Sequence, residues 1–226
     1  MPTLYLIATP IGNLNDLSPR AISTLKSVDL ILCEDTRRTG LLLNNLGINK
    51  PLLSYFEHNE VQRIPEIVRS LLAGKSAALV SDAGTPTISD PGYKLVRECL
   101  ANNFNVISIP GPSAILTALA ASGFPTDRFC YLGFLSHKES QKNNLFSDLL
   151  IRFAGFPTTF ICFESPYRLQ KTLRLLSELS PECRVVVARE LTKIHEEFIR
   201  LTAKDALDHF TANEPRGEIT LLFRFA

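Results

Sequence analysis

The sequence lacks the features of a membrane or exported protein. No uncharged apolar run approaches the roughly 20 residues that a membrane-spanning helix requires. The first residues, MPTLYLIATPIGN, carry no basic segment before their short apolar stretch, unlike a signal peptide. We interpret this stretch as a first strand. Five cysteines are scattered singly, without a C-x-x-C pair. This pattern is typical of reduced thiols and predicts a cytoplasmic protein, with Cys33 and Cys162 buried in apolar strands.

Several kinds of binding site are also missing. The 24 Lys and Arg residues nearly balance the 23 Asp and Glu residues, for a net charge of +1. This excludes a strongly basic coat for non-specific nucleic-acid binding, although not a local basic patch. The four histidines show neither H-x-x-x-H nor H-E-x-x-H spacing, so no metal is expected. G-x-G-x-x-G and G-x-x-x-x-G-K-[ST] do not occur, which excludes an encoded Rossmann dinucleotide site and a P-loop.

The first half of the chain alternates between strand and helix patterns. The 226 residues, 45% of them hydrophobic, are typical of a globular protein of one large or two small domains. Strands are predicted at residues 4–8, 28–33, 52–55, 77–80 and 106–109, with helices between them. Ser18-Pro19 and Asp90-Pro91 each place a capping residue before a proline, which predicts a helix start. This order predicts a mostly parallel five-stranded sheet with helices on both faces.

The second half predicts a mixed sheet. Strands are predicted at residues 129–134, 159–163, 184–188, 197–201 and 218–225, and helices at 138–153, 166–179 and 203–211. Thr202 and Asp205 are spaced as a capping box for the last helix. The short connection between the strands at 184–188 and 197–201 predicts a hairpin. We therefore predict an N-terminal α/β domain over residues 1–112, a connecting helix over 113–124 and a C-terminal α/β domain over 125–226.

Small, polar or charged residues follow six of the predicted strands, at 9–14, 34–39, 81–92, 110–114, 164–168 and 189–193. Because functional groups in open α/β sheets collect at the carboxyl ends of strands, these loops predict a site. Glycine and proline let the backbone approach a ligand closely, and Asp82 could accept hydrogen bonds from hydroxyl or ammonium donors. That chemistry suits a nucleoside-like cofactor held mainly by the main chain. Alternatively, Gly84, Gly92 and Gly111 only satisfy turns.

Seven segments resemble a known family in order and spacing: TPIGNL, EDTRRTGLLL, SDAGTPTISDPG, PGPSA, FESPYR, ARELTK and RGEITLLF. The family is that of the ribosomal RNA small subunit methyltransferases I, within the tetrapyrrole methylase superfamily. The resemblance implies two α/β domains with S-adenosylmethionine in the cleft between them. It also implies methylation of a cytidine ribose 2′-hydroxyl in the decoding region of 16S ribosomal RNA in the 30S subunit, and a homodimer. Family members commonly continue for some tens of residues beyond the last strand, so the resemblance leaves open any RNA contacts made there.

Matching the family's motifs implies eight cofactor contacts: Pro10, Asp82, Thr85, Ser113, Ala114, Phe163, Ala188 and Gly217. The Phe163 ring would line the adenosine pocket, or else serve as a strand core residue. Methyl transfer from a sulfonium is an in-line displacement that requires no metal and depends mainly on positioning. A ribose hydroxyl is a poor nucleophile, so a base or a charge that lowers its pKa should help. The catalytic candidates that follow strands are Asp35, Glu164 and Lys193; each could instead form a salt bridge, to Arg37, Arg168 or Glu190.

Three arginines are the predicted RNA phosphate contacts: Arg37, Arg38 and Arg168. Arg37 could instead pair with Glu34 or Asp35 inside the fold. Two alternative functions stay open at this point. A related enzyme that methylates a tetrapyrrole or another small acceptor would have an enclosed pocket and little need for Arg37 and Arg38. The second alternative is a nucleotide-binding module without enzymatic activity.

Overall fold

The computed structural model describes residues 2–225, which divide into two compact units between Ser113 and Ala114. The helix predicted as a connection lies within the second unit by this division, as its first helix. Within the described residues no helix is both long and apolar enough to cross a membrane.

The first unit contains a five-stranded parallel sheet, as predicted. Its strands are β1 (Thr3–Ile7), β2 (Leu30–Cys33), β3 (Leu52–Ser54), β4 (Ala77–Val80) and β5 (Asn105–Ile109). The helices are α1 (Pro19–Ser27), α2 (Thr36–Asn45), α3 (Glu60–Leu72) and α4 (Tyr93–Ala101), with a 3-10 turn at Leu14–Asp16. The strand order is β3-β2-β4-β1-β5, and each neighbouring pair is parallel. The carboxyl ends of all five strands therefore lie at one edge of the sheet.

Alternate residues of this sheet pack into two separate cores. Ile7 and Ile31 belong to the core that includes α1 and α2, whereas Leu4 and Leu32 belong to the core with α3 and α4. Strand residues point alternately to opposite faces, so helices on both faces leave the central strands fully covered. Cys33 is completely buried in the first of these cores, as its apolar run predicts.

The predicted start of α4 at Asp90-Pro91 is wrong. The helix begins at Tyr93, after Gly92, whose φ of +134° lies in a region that favours glycine. By contrast, Ser18 accepts a hydrogen bond from the backbone N–H of Ala21 and caps α1 as predicted. The capping pattern at residues 90–91 does not start a helix, because the chain stays in an irregular loop from Ser81 to Gly92.

The second unit contains the mixed sheet that the sequence predicts. Its strands are β6 (Phe129–Phe134), β7 (Thr159–Glu164), β8 (Arg184–Arg189), β9 (Glu197–Thr202) and β10 (Ile219–Arg224). Its helices are α5 (Ala114–Ser122), α6 (Glu139–Arg152), α7 (Pro166–Leu179) and α8 (Ala203–Ala212). The order is β6-β7-β10-β8-β9. Strands β6 and β7 are parallel, β10 is antiparallel to both of its neighbours, and the predicted β8–β9 hairpin is confirmed.

One face of the second sheet packs on α6, α7 and α8. Phe160 and Cys162 of β7 and Phe223 of β10 are buried in this core, and the Phe160 and Phe223 rings stack 5.2 Å apart. The helix α5 packs against β7, β8 and β10. Thr202 accepts a hydrogen bond from the backbone N–H of Asp205, which confirms Thr202 as the cap of α8.

Candidate functional site

Hydrogen bonds join three loops at the carboxyl edge of the first sheet. Thr9 and Gly84 exchange two backbone hydrogen bonds, with N···O distances of 2.9 and 3.0 Å. The Thr9 hydroxyl donates to the Ser81 carbonyl at 2.9 Å, and the Thr85 hydroxyl donates to the Pro112 carbonyl at 3.2 Å. The loops that follow β1, β4 and β5 therefore form one surface built largely from main chain.

Four of the predicted cofactor contacts lie in these three loops: Pro10, Asp82, Thr85 and Ser113. Gly111 favours a close approach between the chain segments that follow β1 and β5. A Cβ atom added to Gly111 would lie 3.0 Å from the Cβ of Ala8, tighter than ordinary packing allows. The surface therefore combines main-chain polar groups with the carboxylate of Asp82, which is the chemistry expected for a nucleoside-like ligand.

The other four predicted contacts lie in the second unit. Phe163 on β7 and Ala188 on β8 both pair in register with Thr220 on the intervening strand β10. The three side chains therefore point to one face of the sheet in a row. Gly217 precedes β10 at the same end of the sheet, and Ala114 begins α5, which packs on β7, β8 and β10. Buried Thr220 adds a polar member to the row that sequence reasoning missed, because its significance depends on cross-strand register.

Asp35 and the two exposed arginines meet at the carboxyl ends of β2 and β4. The Asp35 carboxylate caps α2 by accepting the backbone N–H of Arg37, and it also accepts the Arg37 Nε and Nη2 donors at 3.1 and 2.8 Å. These hydrogen bonds hold the pKa of Asp35 well below its ordinary value. Arg38 Nη1 lies 3.3 Å from the Asp82 carboxylate. The predicted alternative, pairing of Arg37 with Asp35, is confirmed, but on the surface: the Arg37 side chain is 88% exposed.

Two carboxylates that sequence reasoning did not single out lie beside Asp82. Burial, reinforced by the charges of Asp90 and Asp82, raises the pKa of Glu34 to about 7. Burial and the charge of Asp82 raise the pKa of Asp90 to about 6, although a hydrogen bond with Ser81 opposes the shift. Glu34 directly follows β2, so its position at the carboxyl end of a strand could have marked it as a site candidate. Its proximity to Asp90 depends on tertiary structure.

Replacing Glu34 with Gln should stabilise the fold at pH 8 more than at pH 5. Folded Glu34 keeps its proton up to a pKa of about 7, whereas the ordinary value is 4.5. The folded state thus binds more protons between these values, and stability falls as pH rises through this window. Gln cannot ionise, so it removes the penalty. Urea unfolding at both pH values measures the effect, and equal shifts at pH 5 and pH 8 would contradict the assignment.

Glu164 lies in a buried polar network of the second unit. Its side chain is 0% exposed, and that of its partner Lys142 is 3% exposed, at 3.4 Å. The Thr172 hydroxyl donates to Glu164 at 2.6 Å, and Lys142 Nζ donates to that hydroxyl at 2.7 Å. The backbone N–H of Ser165 and Nε of Arg168 donate to the other carboxylate oxygen at 2.8 and 2.9 Å. Burial raises the pKa of Glu164, but these hydrogen bonds outweigh it and the net shift is downward. The carboxylate is thus held ionised.

Lys193 lies between two carboxylates at the end of β8. Its ammonium donates to Glu190 at 2.9 Å and to Glu218 at 3.0 Å. Burial lowers the pKa of Lys193, but the two carboxylates outweigh it and the net shift is upward. Gly217 makes room for this cluster, since a Cβ there would lie 2.4 Å from the Glu190 carboxyl carbon. The salt bridge that the sequence allowed between Lys193 and Glu190 is present.

Backbone strain is concentrated in two of the predicted site loops. Among the described residues, four of the five non-glycine residues with positive φ are Thr87, Ser89, Glu190 and Thr192. Threonine rarely adopts this conformation because its Cβ is branched. The Thr192 hydroxyl is also buried with no hydrogen-bond partner among the described residues. Strain of this kind is typical of binding and catalytic sites, so both loops are candidates on grounds independent of their composition.

We find no candidate metal site in the part of the chain that the structure describes. Among residues 2–225 no group of three His, Cys, Asp or Glu side chains is placed to hold a metal ion. The expectation of chemistry without a metal stays a prediction.

Comparison with known proteins shows which proteins the chain is similar to. A family model for tetrapyrrole (corrin/porphyrin) methylases matches residues 3–207. A Synechocystis protein named ribosomal RNA small subunit methyltransferase I is 50% identical over 223 residues, covering 98% of this chain and 78% of that protein. A Thermotoga maritima protein of the same name is 47% identical over 222 residues and covers 98% of both chains.

Solved structures show the same fold at much lower identity. A cobalt precorrin-4 methyltransferase superposes with a TM-score of 0.67 at 17% identity, covering 99% of this chain and 94% of that one. A uroporphyrin-III C-methyltransferase from Thermus thermophilus has a TM-score of 0.65 at 16% identity, covering 100% and 94%. These likenesses confirm the predicted fold class, and the curated relatives confirm the predicted resemblance.

Proposed function

The chain belongs to the tetrapyrrole methylase family, and from this we propose that it is an S-adenosylmethionine-dependent methyltransferase acting on ribosomal RNA. The acceptor that we propose is the 2′-hydroxyl of a cytidine ribose in the decoding region of 16S RNA, within the 30S subunit. The observation that carries the proposal is the Thermotoga relative, which is 47% identical over 98% of both chains and is named ribosomal RNA small subunit methyltransferase I. A cytoplasmic homodimer is part of the proposal.

The residues of both units fit S-adenosylmethionine. In the first unit, main-chain groups of three joined loops can receive polar atoms of the ligand, and the Asp82 carboxylate can accept its hydroxyl or ammonium donors. In the second unit, Phe163, Thr220 and Ala188 offer a ring, a hydroxyl and a small side chain in one row. When bound, this cofactor supplies an electrophilic methyl group. We propose that all eight predicted contacts hold it.

The proton of the ribose hydroxyl requires an acceptor or a stabilising charge. Asp35, Glu164 and Lys193 stay our candidates, and their contacts favour charge stabilisation over proton transfer. The two carboxylates have lowered pKa values, and the Lys193 ammonium is held charged. Glu34, with a pKa of about 7, is a fourth candidate that matches a general base at neutral pH.

Methylation of a tetrapyrrole or another small acceptor is the alternative that the family leaves open. The Arg37 and Arg38 side chains are 88% and 71% exposed, which suits contacts with a large anionic partner. A small acceptor in an enclosed pocket has little need for two such side chains. This exposure favours RNA, as do the names of the relatives.

The test of the proposed function is transfer of a labelled methyl group to undermethylated 30S subunits. We expect label on a single cytidine, located by mapping the modified nucleotide. A matched RNA with 2′-deoxycytidine at that position should accept no methyl group, because the acceptor oxygen is missing. Continued labelling of the deoxy substrate would show base methylation and contradict the ribose assignment.

Replacing Arg37 and Arg38 with Ala should weaken RNA binding and make its salt dependence shallower. If each arginine contacts one phosphate, the slope of log affinity against log salt should fall by about 1.4. Stability should change little, because exposed ion pairs contribute ~0–1 kcal/mol. The matched control is Arg63→Ala, which removes another arginine ion pair, with Glu66 at 2.8 Å. Equal salt slopes for both variants would reject the phosphate role.

A further inference from the structure

We infer that the carboxyl end of β6 and β7 binds a nucleotide of single-stranded RNA, with its base stacked on the Tyr167 ring and its phosphate beside Arg168. The inference rests on the proposed function and adds to it a base-contacting surface within the second unit. It goes beyond the phosphate role predicted for Arg168, since it assigns the exposed rings of Tyr167 and Phe134 to the RNA bases.

Two aromatic rings are exposed at this end of the sheet. Tyr167 is 90% exposed and is the second residue of α7, directly after Pro166. Phe134 is 64% exposed and ends β6, in register with Phe163 on β7. The Phe134 and Phe163 ring centroids are 5.2 Å apart. Rings left in water at the ends of adjacent strands are available for stacking on a flat ligand.

Arg168, which directly follows Tyr167 in α7, has its guanidinium held by two side chains. Arg168 Nε donates to the buried Glu164 carboxylate at 2.9 Å. Its Nη1 donates to Nδ1 of His137, a residue of the loop after β6, so the contact joins the two strand ends. Glu164 is held in turn by Lys142, Thr172 and the backbone of Ser165. Binding an anion therefore costs Arg168 little side-chain entropy, which is the advantage of a preorganised contact.

The combination favours RNA over a second copy of the chain. Interfaces between identical subunits tend to be more apolar at their cores. Here Tyr167 directly precedes Arg168 in α7, and His137 and Lys138 follow Phe134 within four residues of the end of β6, so cationic and polar side chains accompany both rings at this end of the sheet. Proteins grip single strands with cationic groups that follow the backbone and with aromatic rings on which bases stack. The chemistry of this surface matches both parts of that mode.

The test is a set of tyrosine variants of the full chain. Affinity is measured for a short single-stranded RNA of the decoding-region sequence, with 2-aminopurine at successive positions. Tyr167→Ala should weaken binding roughly 5- to 150-fold, the range that corresponds to the loss of one stacked base. Tyr167→Phe keeps the ring and should bind as the unchanged protein does. Tyr93→Ala removes another exposed tyrosine at the start of a helix, 67% exposed in the first unit, and should have no effect.

Stacking should also leave a spectroscopic signature. One 2-aminopurine position should change its fluorescence on binding to the unchanged protein and to Tyr167→Phe, but not to Tyr167→Ala. Equal RNA affinity for Tyr167→Ala and the unchanged protein would overturn the inference. A dimer that dissociates in Tyr167→Ala would also overturn it, by placing the ring against a second copy. Methyl transfer by the unchanged protein is measured separately, so failure of the proposed function remains distinguishable.

Discussion

Glu164→Leu should lower the free energy of unfolding by about 3–5 kcal/mol, the cost of leaving a buried charge without its partner. The Lys142 ammonium is 3% exposed, and Glu164 is the carboxylate that it contacts. Without Glu164 the ammonium retains the Thr172 hydroxyl, which carries no charge to compensate it. The backbone N–H of Ser165 also loses its acceptor. Urea unfolding, followed by circular dichroism, measures the loss.

The double variant Lys142→Met/Glu164→Leu is the control for this prediction. It removes both charges and replaces them with apolar side chains of similar length, so no ion is left unpaired. Replacement of a buried ion pair in this way is often neutral or stabilising. We therefore expect the double variant to be more stable than Glu164→Leu alone. A double variant less stable than the single one would show that the network contributes through packing and not through charge pairing.

Gly92→Ala should destabilise the first unit and weaken cofactor binding together. The φ of Gly92 is +134°, and holding a residue with a side chain there costs about 1–3 kcal/mol. A Cβ would also lie 2.5 Å from Cδ2 of buried Leu79 and 2.9 Å from Cγ2 of Thr87. Relief of this overlap costs a further ~1–3 kcal/mol. Because the loop before Gly92 carries Asp82 and Thr85, calorimetric affinity for S-adenosylmethionine should fall as well.

Gly74→Ala separates backbone strain from crowding. Gly74 also has a positive φ, +85°, but a Cβ there would meet nothing within 4 Å. It lies between α3 and β4, away from the predicted cofactor contacts. We expect Gly74→Ala to cost only the backbone part and to leave cofactor affinity unchanged. Equal losses of stability in the two variants would show that Leu79 and Thr87 move aside freely.

Local patterns in the sequence predicted the strands and helices and the placement of most candidate residues. Hydrophobic periodicity and local caps depend on residues within a few positions of each other, so the strands, the cap at Ser18 and the β8–β9 hairpin were predictable. Alternation of strand and helix implied a parallel first sheet, which in turn placed Asp35, Asp82 and Thr85 at one edge. The start of α4 was not predictable, because its capping pattern lies within an irregular loop.

The contacts that these residues make depend on the tertiary structure. Lys142 lies in a polar stretch of α6 that suggests a solvated helix, yet it is buried against Glu164, 22 residues away. Glu34 owes its raised pKa to burial and to Asp90 and Asp82, which a different loop brings beside it. Charge, burial and pKa depend on distances through space, and strand order fixes those distances. The local sequence does not predict strand order. It can therefore indicate that a carboxylate belongs to a site, but it cannot predict which residue pairs with that carboxylate or whether the carboxylate is ionised.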